Sequence, residues 1–535
     1  MKPVLSVEEV LRLEDLIENR GTSKAALMEY AGEAAADRVL DFAPKHVAVL
    51  VGFGNNGGDG WVAADILSHK GISVDLITPV EPNEISSPIA RHVARRTAGR
   101  DVVVTVGPSR DELVEILNRA DVVLDAILGT GFKGAVRPPF SIWIPALNEL
   151  NLPVVSVDVP SGLNAETGEI GSACVRATAT VTMLAPKIGL FSGDGPEYAG
   201  EVTTAGLYDD LDDVVLDVEH AAEIVEPGDL IDCFPDLPNN VNKYSRGSVL
   251  VVAGSSTYPG AAIMAAKAAA RAGAGYVTVA APDACANLIR MTLPSIPVVG
   301  IPSDSRGAFG AAACSPICDL ARKFDCVLCG PGMTVTAGCM QVVTELLRSD
   351  VPLVLDADAL NCMSRLAIGG IEETPEVYRR EAPLILTPHN RELSRLVGDE
   401  CVDDLGSAIA ASQKLVWAAG SDNLVVVAKG PSTAIVGVEK VLLPMSGPAS
   451  LATAGSGDVL AGIMAANIAV SHGETTCWEL VCAYAVAVHS YTGYVAAEKM
   501  GERSVIATDL IDEIGVAMRL AETEALKDAG IELGD

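Results

Sequence analysis

The residues able to do chemistry gather in short glycine-bearing stretches. Late in the chain, Leu451-Ala452-Thr453-Ala454-Gly455-Ser456-Gly457-Asp458 leads into an apolar run from Val459 to Val470. Small residues and glycines ahead of a helix present free amides and a positive dipole end, which together favour a phosphate. An acid in the first helical turn is also favoured simply as a cap and dipole partner. In the first half, Gly52-Phe53-Gly54-Asn55-Asn56-Gly57-Gly58-Asp59-Gly60 holds five glycines in nine residues, more than a plain turn needs. Its spacing is not the dinucleotide fingerprint, and it reads as a ligand loop. Asp125 stands shortly before Gly129-Thr130-Gly131-Phe132-Lys133-Gly134-Ala135, and Asp158 precedes Val159-Pro160-Ser161-Gly162. Singly, each acid is a common turn residue. Together Asn, Asp and Ser form a set of hard oxygen donors, and so few full charges suit a monovalent cation.

These stretches need strands to aim them. His46–Val51, Asp121–Leu128 and Val154–Asp158 read as buried strands that each end at one of the loops, so the donors fall on one sheet edge. Residues 5 to 40 read as helix. In the second half, strand signals at Ser248–Gly254, Tyr276–Ala280, Cys326–Cys329, Leu353–Leu355, Leu384–Thr387 and Leu424–Ala428 alternate with helical segments, the first from Pro259 to near Gly273. That alternation predicts a second, mostly parallel sheet covered by helices. Chemistry again follows the strands: Gly330-Pro331-Gly332-Met333, then Asp356-Ala357-Asp358, Thr387-Pro388-His389 and Lys429-Gly430-Pro431-Ser432-Thr433. His389 is a site residue or a helix cap. Asp356 and Asp358 alternate and so share one face, either positioning magnesium or closing a turn. An acidic, proline-bearing stretch from Asp209 to about Asn240 marks a domain boundary near residue 220, dividing the chain into 1–220 and 221–535.

A chain of 535 residues exceeds what one core supports. The formal charge of -32 excludes nucleic acid or an anionic membrane as the main partner, and also fits a salt-rich cytoplasm. Apolar stretches read as broken short of membrane-spanning length by Lys267, Arg271 and Ser471-His472-Gly473. Met1-Lys2-Pro3 runs into Glu8-Glu9 with no apolar leader between, so the chain reads as cytoplasmic and its twelve cysteines as reduced. Cys314, Cys318, Cys326 and Cys329 suggest zinc, but Cys326 and Cys329 fall three apart on a strand and face opposite sides.

Gly54-Asn55-Asn56-Gly57-Gly58-Asp59-Gly60, Asp125 with Gly129-Thr130-Gly131, Asp158-Val159-Pro160-Ser161-Gly162 and Pro186-Lys187-Ile188-Gly189-Leu190 resemble, in order and spacing, the NAD(P)HX epimerase family. The resemblance implies a Rossmann-like three-layer αβα domain that interconverts the two epimers of hydrated NAD(P)H. It further implies that Asn56, Asp125 and Ser161 bind potassium, and that Asn55, Asn56, Gly57, Gly58, Asp59, the run Gly129, Thr130, Gly131, Phe132, Lys133, Gly134, Ala135, and Asp158 contact substrate. Asp158 is the proton-transfer candidate, as a carboxylate crowded at a strand end.

From about 240 to 520 the chain resembles the ribokinase-like superfamily, and within it the ADP- or ATP-dependent NAD(P)HX dehydratases. The implied αβα domain places the nucleotide on Lys429, Gly430, Pro431, Ser432, Thr433 and Gly457, and the hydrated nicotinamide against Ala261, Thr334, His389 and Asp458. Asp458 would take the substrate hydroxyl proton while Gly455–Gly457 steady the phosphoryl group. Phosphorylation turns a poor leaving group into a good one, and elimination then restores the dihydropyridine. The chain departs from the family pattern at Asn390-Arg391, where Pro-Gly is usual, at Thr334, where Gly is usual, and at Ala454-Gly455, where two glycines are usual.

The resulting expectation is a bifunctional repair enzyme: epimerisation of R- and S-NAD(P)HX, and dehydration of the S form to NAD(P)H with ADP giving AMP and phosphate, or with ATP. Potassium and magnesium are the expected ions, and a homo-oligomer the expected state. Two other readings use the same residues: a small-molecule or vitamin-precursor kinase fused to a Rossmann-like binding module, and a non-enzymatic scaffold or RNA-binding first domain. The oxygen donors and the negative charge oppose the last.

Overall fold

The computed structural model describes residues 1–208, 211–215, 218, 220–234, 242–243, 245–366, 380–398, 401–471 and 477–531. Asp209, Asp210, Pro235, Pro238 and Asn240 of the acidic stretch, and His472-Gly473, lie outside them. The chain forms two compact units, one of Pro3–Ala222, the other of Glu223–Asp535 with Met1–Lys2.

The first unit is built on a seven-stranded sheet in the spatial order Val103–Val106, Ser73–Thr78, His46–Val51, Val122–Ala126, Val154–Val157, Ala179–Met183, Glu201–Ala205. Every pairing is parallel. Strand side chains alternate between two cores: Val47, Val49 and Val51 pack with Trp61, while Ala48 and Leu50 pack with Trp143. The chain leaves His46–Val51 toward one edge and returns at Val122–Ala126 toward the other. Their carboxyl ends therefore flank the switch point where such sheets bind ligands.

The single helix expected over residues 5 to 40 is two, Val7–Asn19 and Lys24–Leu40. Gly21 turns left-handed at φ 109°, and Ser23 Oγ accepts from Ala26 N at 3.2 Å to start the second helix. The glycines after His46–Val51 let the helix Asn55–His69 close onto the sheet. A Cβ at Gly57 would fall 2.3 Å from the Gly52 carbonyl oxygen, and one at Gly60 2.6 Å from Ala126 Cβ.

In the second unit, Val298–Ile301, Tyr276–Pro282, Ser248–Val252, Cys326–Cys329, Leu353–Leu355, Leu384–Leu386 and Leu424–Ala428 lie side by side and parallel. Antiparallel Ala434–Val436 and Val441–Leu443 extend the sheet. Cys326 and Cys329 are fully buried in their strand. Pro259–Arg271, Ser456–Ser471, Trp478–Met500 and Ala507–Asp528 contribute to one large apolar core, where alanines and Gly462 permit close helix approach. Trp478–Met500 corrects the expectation that no apolar stretch reaches spanning length: its 23 residues do, and 78% of its most apolar window is buried inside the protein. Asp356 and Asp358 do not share a strand face, because the strand stops at Leu355, Ala357 turns left-handed at φ 49°, and Asp358 opens the helix Asp358–Leu366.

Candidate functional sites

In the first unit a cavity of about 990 Å³ opens at the switch point. Of the residues singled out from sequence, Asn55, Asn56, Asp59, Gly129 to Ala135 and Asp158 all line it. Gly57 and Gly58 sit behind the wall, packed against Gly52 and Met28. Asp125 and Ser161 are fully buried beneath the floor. Ser161 Oγ donates to Asp125 Oδ1 at 2.5 Å, Ser161 N and Ser156 Oγ donate to Oδ2 at 2.9 Å each, and Leu128 N donates to Ser161 Oγ at 2.8 Å. Burial raises the Asp125 pKa, and these hydrogen bonds oppose the rise. Asn56 is different. Both polar atoms of its amide are buried and neither has a hydrogen-bond partner. An amide left so is costly unless a ligand completes it.

Asp158 closes the strand Val154–Val157 in a left-handed conformation, φ 68°. Lys187, fully buried, donates to Asp158 Oδ1, and also to Thr182 Oγ1 at 3.1 Å and the Met183 carbonyl at 2.8 Å. Asp158 therefore stands at the wall as half of an ion pair. Asp59 is pushed well above the carboxylate range, first by burial and then by the charges of Asp158 and Glu14. Glu14 and Lys24 also line the cavity, and nothing in the sequence distinguished them from the other charged residues of their helices.

In the second unit the chemistry gathers at the carboxyl ends of Leu353–Leu355, Leu384–Leu386 and Leu424–Ala428. Lys429 Nζ donates to Asp356 Oδ1 at 2.6 Å, and Thr387 Oγ1 donates to the same oxygen at 2.7 Å. Burial opposes the charge on Lys429, but Asp356 and Glu392 outweigh it and raise its pKa. Asp458, in the first turn of Ser456–Ser471, is raised to about 7 by burial, with Asp356 adding and Lys429 opposing. Gly457 lies beside Lys429, whose Nζ would be 3.5 Å from a Cβ there. Gly430 to Thr433 form the turn between Leu424–Ala428 and Ala434–Val436, and Ser432 Oγ is buried without a partner.

His389 caps the helix Asn390–Leu396, its Nδ1 accepting from Arg391 N at 3.1 Å and Glu392 N at 3.4 Å. It also bridges to Lys429 in parallel, which joins the ends of Leu384–Leu386 and Leu424–Ala428. Burial lowers its pKa, and Lys429 lowers it further. Glu392 is raised to about 7 by burial. Thr334 is left-handed at φ 64°, which explains why glycine suits the position, and its N donates to Asp358 Oδ2 at 2.8 Å. Ala261 lies near that loop, 2.9 Å from where a Cβ at Gly332 would sit. At the start of Ser456–Ser471, Ser456 Oγ and His489 Nε2 are 3.1 Å apart in the interior, a pair that sequence reasoning missed. Among the described residues, no group of three or more His, Cys, Asp or Glu is placed to hold a metal ion.

Two family models match in chain order. The model described as YjeF-related protein N-terminus covers residues 24–189, and that described as NAD(P)H-hydrate dehydratase covers residues 249–515. Similar relatives include the bifunctional NAD(P)H-hydrate repair enzyme Nnr of Salinibacter ruber, 36% identical and covering 93% of this chain and 92% of that one. The protein of the same name from Moorella thermoacetica is 32% identical over 95% and 93%. Among solved structures, the ADP/ATP-dependent NAD(P)H-hydrate dehydratase from Bacillus subtilis, co-crystallised with ATP/Mg2+, is 25% identical over 55% of this chain and 97% of that one, with a TM-score of 0.46. Matched by both models and aligned to these relatives over nearly its whole length, the chain belongs to the family of bifunctional NAD(P)H-hydrate repair enzymes.

Proposed function

We infer that the first unit epimerises R- and S-NAD(P)HX and that the second dehydrates S-NAD(P)HX to NAD(P)H while converting ADP to AMP and phosphate. The observation that carries this reading is the similarity to named repair enzymes across both units. In the first unit, the cavity takes the hydrated nicotinamide nucleotide against Asn55 to Asp59, Gly129 to Ala135 and Asp158. The unpartnered Asn56 amide, with the oxygens of Asp125 and Ser161, suits potassium, which would supply a fixed positive charge there. Asp158, oriented by Lys187, exchanges the proton.

In the second unit, Lys429 to Thr433 and Gly457 hold the nucleotide, and Ala261, Thr334 and His389 position the substrate. Asp458, poised near neutrality, accepts the hydroxyl proton as the phosphoryl group transfers. Magnesium is carried in by the nucleotide phosphates, because it favours phosphate oxygens and water over an all-protein cage, and it neutralises their charge. A cytoplasmic location accords with twelve free thiols.

The test is to supply hydrated NADH with ADP or ATP and follow NADH and phosphate. One phosphate and one AMP per NADH with ADP is expected. A phosphorylated product that accumulates without NADH would overturn the reading in favour of a kinase.

A further inference from the structure

We propose that Glu14 is the second catalytic carboxylic acid of the first unit, passing a proton to or from the substrate hydroxyl while Asp158 serves as its counterpart. The proposal rests on the epimerase reading above and deepens it. Glu14 projects from the helix Val7–Asn19, remote in sequence from every glycine loop, yet it lines the same cavity as Asn56, Asp59 and Asp158. Its carboxyl group is half-buried and makes no hydrogen bond within the protein among the described residues. Asp59 is likewise without one. The Asn56 amide, buried and unpartnered at the same cavity, marks it independently as one that a ligand completes.

Two carboxyl groups at one cavity in opposite environments are the usual sign of an acid and a base. Asp158 is paired to the buried ammonium of Lys187 and tied to Thr182 Oγ1 at 3.4 Å and Met183 N at 3.3 Å, which fixes the orientation of its carboxylate. Glu14 has no such partner. Burial raises its pKa, the charges of Asp158 and Asp15 add to this, and Lys24 and Lys187 oppose it; Asp15 takes the Lys24 ammonium at 2.7 Å. Glu14 thus holds its proton more readily than an ordinary glutamate.

The chemistry requires two such groups. The epimeric carbon carries a hydroxyl and is bonded to the ring nitrogen. Glu14 gives its proton to the hydroxyl, the carbon–oxygen bond breaks, and water leaves as the nitrogen lone pair forms a carbon–nitrogen double bond. Water then adds to the other face. A new carbon–oxygen bond forms, the electron pair returns to nitrogen, and Asp158 takes the water's proton. The product is the other epimer, with one proton moved from Glu14 to Asp158. That charge state is the one needed to run the reaction backward, as an epimerase must. Asp59, which feels the charges of both, lies where it can help reset the pair.

The test uses the full chain and each purified epimer of hydrated NADH, with epimerisation followed by NMR against the spontaneous rate. Glu14→Gln keeps size and packing but cannot donate. It is expected to slow epimerisation at least about 100-fold, to keep KM within about threefold, and to lack the fall in rate at high pH expected of the wild type. Glu14→Asp is expected to recover part of the rate with that limb intact. Loss of substrate binding in Glu14→Gln together with no rescue by Glu14→Asp would overturn the proposal, because Glu14 would then be structural. A Glu14→Gln rate within twofold of wild type would also overturn it. Wild-type protein that epimerises neither substrate would instead overturn the epimerase reading on which it rests.

Discussion

Lys429 Nζ lies 2.6 Å from Asp356 Oδ1, and the two charges act in opposite directions on Asp458, whose pKa burial raises. Asp356 is almost completely buried, so its charge is tolerable only with the ammonium beside it. The pair joins the carboxyl end of one strand to the turn after another, 73 residues later.

If Asp458 accepts the hydroxyl proton, dehydration rises with pH as that carboxyl ionises, through about 7. Asp356→Asn removes a neighbouring negative charge, so the rising limb moves to lower pH. Stability follows the opposite trend. The folded state holds the Asp458 proton more tightly than the unfolded chain, so this group's contribution is lost as pH rises from about 4 to about 7. Asp458→Asn removes that loss and is expected to raise Tm at pH 8 more than at pH 5, while abolishing dehydration. A pH-independent change in Tm would contradict the assignment.

Lys429→Met leaves Asp356 as an uncompensated buried charge, a cost of about 3–5 kcal/mol. Adding Asp356→Asn restores most of the lost stability. Nucleotide-dependent dehydration stays down by about two orders of magnitude in both variants, since the phosphates lose their cation. Thermal melts with steady-state rates check this, and recovery of activity in the double variant would show Lys429 to be only structural.

Exchanging potassium for lithium is expected to slow epimerisation about tenfold or more and leave dehydration of the S epimer unchanged. Asn56→Ala should remove the cation response altogether. An epimerase indifferent to the cation would show that the buried Asn56 amide has another purpose.

Thr334→Gly relieves a β-branched residue held at φ 64°, a strain of about 1–2 kcal/mol. The unfolded chain gains freedom that offsets part of this, about 0.5–1 kcal/mol. A net stabilisation of roughly 0.5–1 kcal/mol is expected in denaturant melts, the difference between those two effects. Destabilisation would mean that the Thr334 side chain contributes packing worth more than the strain.

Strand, glycine loop and helix recur through both units as local patterns, which is why the strands that end at those loops and the loop residues of the cavity were legible; Ser73–Thr78, Val103–Val106, Ala179–Met183 and Glu201–Ala205, which end at no such loop, and lining residues such as Val7, Leu27, Ile89 and Arg137 were not. Asp125 lies in the strand Val122–Ala126 and Ser161 in the loop after Val154–Val157, and the pairing of those two strands brings them together. What stayed hidden was long-range pairing. Lys187 meets Asp158 across 29 residues, and Lys429 meets Asp356 across 73, with no periodicity to announce either. Glu14 is one of several acids on an amphipathic helix, and only packing turns it toward the cavity. The break at Gly21 was readable from Gly21-Thr22-Ser23, a helix stop followed by a cap, but the continuous apolar period on either side masked it.

The most direct test is recovery of reduced-nicotinamide absorbance from an epimer mixture of hydrated NADH, with magnesium, potassium and ADP. Two coupled activities on one chain predict full recovery, faster than spontaneous epimerisation allows, with free phosphate matching the NADH formed. Recovery that stops at the S fraction, or no recovery with either ADP or ATP, would contradict it.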